Sequence, residues 1–156
     1  MGLDQFAYVE LCSGEKIDRL IEALGDINIK LIEQKEDAIL VNNSISNRHE
    51  LMYWRKHPNL QGWMERLYIR KMEEQGTPVD KDFEFNCIDL YLTLEDLDEL
   101  EKDLMDNKLN GGGEDTTGFF FGEPCDEHYK NADLLFCKAG REVLKAGWPL
   151  IYYSWW

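Results

Sequence analysis

No apolar run in these 156 residues approaches the roughly 20 that a membrane-spanning helix needs. The opening, MGLDQFAYVEL, has no basic segment followed by an apolar one, so no secretion signal is expected. Position 6 is Phe, where a myristoylation motif wants Ser or Thr. These absences point to a protein of the cytoplasm with no membrane partner. Cysteine is scarce and scattered: Cys12, Cys87, Cys125 and Cys137. Without a secretion signal, reduced and buried thiols are expected. A zinc site would want paired CxxC spacing and a fourth ligand, and the segment CDEH offers only Cys125 and His128 three apart. Neither a metal nor a cofactor is expected.

Positive charge is also in short supply. Lys plus Arg number 17 against 31 Asp plus Glu, a net charge of −14. Such a surface repels nucleic acid unless its cations are gathered into one patch. Catalytic signatures are missing as well: no GxSxG elbow, no HExxH and no paired-aspartate metal motif. What remains for an enzyme is Glu123, Asp126, Glu127 and His128, whose acids and imidazole could exchange protons, although simple capping of a helix start also explains them.

What the chain does have is 44% hydrophobic and 12% aromatic residues, enough for one well-filled core. The alternation in LDQFAYVEL predicts a first strand. Ile17, Leu20, Ile21 and Leu24 predict a helix, capped by Ser13 and stopped at Gly25. Two short strands are expected within residues 27–43. Leu60, Trp63, Met64, Leu67, Tyr68 and Met72 lie on one helical face after Pro58, which suits a first turn. FEFNCIDLYLT predicts a strand. Thr93 and Asp96 then form a capping box for an acidic helix. FFFG predicts a very short strand, residues 123–147 a fourth helix, and LIYYSWW a closing strand. The expectation is a single α+β domain over residues 1–156, with a small, mainly antiparallel sheet packed by about four helices.

One run departs from the acidic background. YWRKHPN, Tyr53 to Asn59, offers a stacking ring in Trp54, a planar fork in Arg55, a point charge in Lys56 and an amide in Asn59. A helix starting at Pro58 would add backbone donors. In the closing strand, alternation sets Ile151, Tyr153 and Trp155 on one face and Tyr152, Ser154 and Trp156 on the other, leaving a face for a pocket wall or a homodimer contact.

These blocks carry a resemblance. MGLDQFAY, YWRKHPNLQGWM, TGFFFG, DEHY and YYSWW together resemble an uncharacterised family of small proteins found in phages and bacteria. The likeness spans the whole chain as spaced blocks. It departs from the family at Pro58, where relatives usually have another residue. Some relatives are labelled phosphoglycerate kinase, but this chain has no glycine-rich phosphate loop of the required form and no second domain to build that enzyme's cleft.

The leading expectation is a non-enzymatic, phage-type accessory protein. It would bind a small nucleotide-like anion, or a segment of a host protein, through Trp54, Arg55, Lys56 and Asn59, walled by Phe120, Tyr153 and Trp156. The first alternative is an acidic inhibitor whose helix, Leu94 to Lys108, mimics nucleic acid in a host protein's groove. The second is a small enzyme using the Glu123 to His128 cluster.

Overall fold

The computed structural model describes residues 2–11, 17–28, 30 and 48–156. Strands β1 (Asp4–Glu10), β2 (Arg48–Arg55), β3 (Leu90–Leu92) and β4 (Leu150–Trp155) form one sheet in the order β2-β1-β4-β3. Every neighbouring pair is antiparallel. Helices α1 (Ile17–Leu24), α2 (Pro58–Glu74), α3 (Leu94–Met105) and α4 (Asp126–Lys145) complete the named elements. The result is a two-layer α+β domain.

The strand alternation explains the layering. Gln5, Ala7, Val9, Met52, Trp54, Leu90, Leu92, Leu150, Tyr152 and Ser154 are buried beneath the helices. A bulge between Ala7 and Tyr8 shifts the pairing with β2, so that Leu51 is accommodated and Tyr8 stands opposite Glu50. Trp54 meets Phe136 of α4 edge-on, with ring centroids 5.1 Å apart. The opposite sheet face carries Asp4, Phe6, Tyr8, Tyr53, Tyr153 and Trp155, half-buried or exposed.

Helix α2 begins at Pro58, where a missing N–H costs nothing. Its first seven residues are all buried, and Leu67 continues the inward stripe. Helix α3 has the expected capping box: Asp96 N–H donates to Thr93 Oγ1, and Thr93 N–H donates to Asp96 Oδ2. Gly140 lets α4 lie close to its neighbours. A Cβ there would stand 2.8 Å from Leu150 Cδ2 and 2.9 Å from Leu97 Cδ1.

Three expectations need correction. FEFNCIDLYLT is strand only at Leu90–Leu92. Phe83 and Phe85 instead pack on Tyr68, and Cys87 sits at φ 59, outside the extended region. FFFG is not a strand but a tight turn closed by the Gly118–Gly122 bridge. Residues 26–28 and 30 are helical, contrary to the first of the two strands expected after Gly25. The second, AILV at residues 38–41, lies outside the described residues, as do Cys12 and the capping Ser13.

Candidate functional site

The seven residues singled out in the sequence fall into three places. Trp54 and Asn59 belong to the interior. Trp54 is 1% exposed, and its indole N–H donates to Asp133 Oδ1 at 2.8 Å. It therefore has no ring face for a ligand, because its parity in β2 points it at the helices. Asn59 is fully buried and its amide is committed: it donates to Asp115 and Asp126, and accepts from Thr116 N–H at 2.8 Å. The start of α2, expected as an anion seat, is buried with it. Arg55 and Tyr153 lie on the opposite sheet face, where Arg55 pairs in register with Asp4 and Tyr153 with Phe6.

Lys56, Phe120 and Trp156 meet at the end of the sheet, around the GFFFG turn. Lys56 has a positive φ of 54 and turns the chain out of β2. Its stem lies between two glycines. A Cβ on Gly2 would come 3.0 Å from Lys56 Cε, and one on Gly122 3.3 Å from Lys56 Cδ. Leu3 N–H donates to Phe120 O at 2.8 Å, and Lys56 N–H donates to Leu3 O at 2.9 Å. Phe120 and Phe121 pack on Trp156, with centroids 5.8 and 5.3 Å away. Trp156 is held in turn by Asn86: its N–H donates to Asn86 Oδ1 at 3.0 Å and its carbonyl accepts from Asn86 Nδ2 at 3.3 Å. Within the turn, Phe121 and Gly122 N–H both donate to Gly118 O. The tip residue Phe119 touches only Phe120 edge-on among the ring contacts and is 94% exposed.

Behind this turn lies a buried polar network that the sequence reading missed. His57 Nε2 is 2.7 Å from Asp133 Oδ2. Gln5 Nε2 donates to His57 O and to Tyr152 Oη, and Gln5 Oε1 accepts from His57 N–H. Tyr152 Oη–H donates to Gln61 Oε1 at 2.6 Å, and Gln61 Nε2 donates to Phe85 O. Burial pushes the Asp133 carboxyl up, while its hydrogen bonds to His57 and Trp54 pull it back down. Asp133 and His57 are thus joined by a hydrogen bond out of reach of bulk solvent. The signal available was Asp133 itself, an acid within α4's apolar stripe between Tyr129 and Phe136. An acid in such a stripe demands a buried partner.

Of the suspected acid–base cluster, only Asp126 approaches His57. Its Oδ1 lies 3.9 Å from His57 Nδ1, and neither atom has a hydrogen-bond partner in the structure. Glu123, Glu127 and His128 are exposed. Tyr129 stacks on the His57 ring at 4.7 Å and its hydroxyl donates to Arg55 O. The Cys125 thiol donates to Lys56 O at 3.0 Å, and burial, with Asp126 and Asp133 adding to it, pushes its pKa up to about 11. A thiol held protonated in this way is a poor nucleophile at neutral pH. The imidazole is wholly buried, and Tyr129 and Cys125 bond to the backbone carbonyls on either side of the Arg55–Lys56 peptide. No group of three or more metal-binding side chains occurs among the described residues. No described helix is long and apolar enough to cross a membrane.

No family model matches the chain, and neither a curated protein nor a solved structure matches it.

Proposed function

We propose that this chain is a non-enzymatic binding protein that engages another protein through the GFFFG turn. One observation carries the reading: Phe119 is 94% exposed on a turn pinned at both ends. Large apolar rings normally leave water. A rigid exposed ring loses little conformational entropy when it enters a partner's pocket, which is how interface hot spots work. Lys56 beside the turn, and Arg55 next to it in the chain, would supply charge-assisted contacts to carboxylates around that pocket. The small-anion form of the idea is weakened, because Trp54 offers no stacking face and the Asn59 amide is already bonded. Taken with the resemblance to phage proteins, the partner is read as a host protein met in the cytoplasm.

Selection from a displayed random-peptide library tests this. The wild-type chain should enrich a peptide family that Phe119→Ser binds about 30-fold more weakly, as for a hot spot worth about 2 kcal/mol. Lys56→Glu should also weaken binding. Enrichment of the same peptides with equal affinity by Phe119→Ser would overturn the reading, as would thermal stabilisation by nucleotides that depends on Arg55.

A further inference from the structure

The sheet face turned away from the helices carries aromatic rings on three adjacent strands. Phe6 lies flat beside Tyr8, with centroids 5.6 Å apart and planes within 9°. Tyr53 leans on Phe6 at 5.2 Å, and Tyr153 on Tyr8 at 6.3 Å. Trp155 continues the tract at 44% exposure and Tyr53 at 41%. Ile151, in line with Tyr153 and Trp155, is fully buried at the centre of this face, but the named helices that pack on the sheet lie on the other side and leave Tyr53 and Trp155 exposed.

The polar groups around the tract are mainly acidic. Asp4, Glu10 and Glu50 stand on the same face of β1 and β2, and Asp89 closes the far margin. Arg48 is already engaged, bidentate with Asp89 at 3.0 and 2.7 Å and 3.6 Å from Glu10. Arg55 is the other cation of this face among the described residues. Tyr53 Oη–H donates to Asp4 Oδ1 at 2.6 Å. A phenol that donates to a carboxylate gains electron density in its ring, which strengthens the attraction of its face for a cation. The chain's charge of −14 adds long-range attraction for a basic partner and repulsion of a second copy.

We infer that this face is a second binding surface, and that its occupant is a basic segment of a partner protein whose arginine or lysine side chains lie over Phe6, Tyr53, Tyr153 and Trp155. Ring faces take the cations, while Asp4 supplies a carboxylate at the edge. This inference does not rest on the Phe119 reading, because its rings and carboxylates are none of the side chains that the turn uses, and Arg55, which borders both surfaces, carries neither.

The probe is a seven-residue arginine peptide amide, with the glutamine peptide as control, titrated at physiological salt and followed by amide and indole NMR shifts. Shifts should map to β1, β2 and β4, including the Trp155 indole. Trp155→Leu and Asp4→Asn should each weaken binding about fivefold, in line with the loss of one exposed cation–ring contact for the first and one exposed ion pair for the second. Phe119→Ser should leave it unchanged. If Trp155→Leu compromises the fold, Asp4→Asn and the wild-type shift map decide. Shifts centred on the acidic surface of α3, or equal affinities for Asp4→Asn and wild type, would overturn the inference. Loss of peptide-library binding in Phe119→Ser with retained arginine-peptide binding separates the two proposals.

Discussion

At the scale of the residue, the buried hydrogen bond between Asp133 and His57 organises the molecule's least forgiving spot. Three polar side chains, Trp54, His57 and Asp133, are almost wholly buried and meet at the Asp133 carboxylate, while His57 Nδ1 has no hydrogen-bond partner. Replacing the acid strands the other two. Asp133→Leu should lower the unfolding free energy by about 3 kcal/mol, because an indole N–H and an imidazole nitrogen lose their partner in a dry site. Urea denaturation would measure this, and a change below about 1 kcal/mol would mean that water reaches the site. By contrast, the Arg70–Glu99 pair is well exposed, and exposed pairs of this kind contribute little. Asp133 stood out as an acid in an apolar stripe, but that His57 is its partner was not legible in advance. Only the fold brings together residues 76 positions apart. Trp54 was misread for a related reason. Alternation shows which residues share a face of a strand, but not which face the helices cover.

Elements were easier to read where local chemistry and periodicity agree. The capping box at Thr93, the start of α2 at Pro58 and the closing strand all follow from short-range patterns. FEFNCIDLYLT misled because its aromatic spacing suits a strand, whereas its rings serve a stack with Tyr68 and Tyr152. Gly140 shows how one missing methyl sets the spacing between elements. Gly140→Ala would gain about 1 kcal/mol of helix propensity. It would also thrust a methyl against Leu150 and Leu97, and such overpacking costs about 1 to 3 kcal/mol. The expected outcome is a net loss of about 1 kcal/mol, visible as a lower midpoint of thermal unfolding. A rise in that midpoint would show that α4 can move away without penalty.

For the whole molecule, ionisation at high pH is the sharpest lever. Desolvation and the bond to Asp4 push the Tyr53 phenol up to about 12, and interaction with Cys87, then burial, pushes Tyr153 up to about 12. Burial likewise pushes the Cys137 thiol up to about 12, and Tyr152 is raised by its complete burial. Each group has a folded value above its unfolded one, so the folded state holds these protons more tightly. The stability they contribute is complete below the unfolded values, about 8.5 for thiols and 10 for phenols. It is lost as pH rises toward 12. Denaturation midpoints should stay level from neutral pH to about 8 and fall progressively to pH 12, tracked by the ultraviolet absorbance of phenolate. Phenolate appearing near pH 10 without loss of structure would contradict this.

One further consequence follows from the Arg48–Asp89 pair. It joins β2 to the residue preceding β3, the two strands at opposite margins of the sheet. A three-residue margin strand would ordinarily fray on its own and exchange its amide protons quickly. Roped to an eight-residue strand by a forked pair of hydrogen bonds, it should open less readily alone. Amide exchange at Leu90–Leu92 is therefore expected to keep pace with that of β2, the two margins held like a bracelet by its clasp.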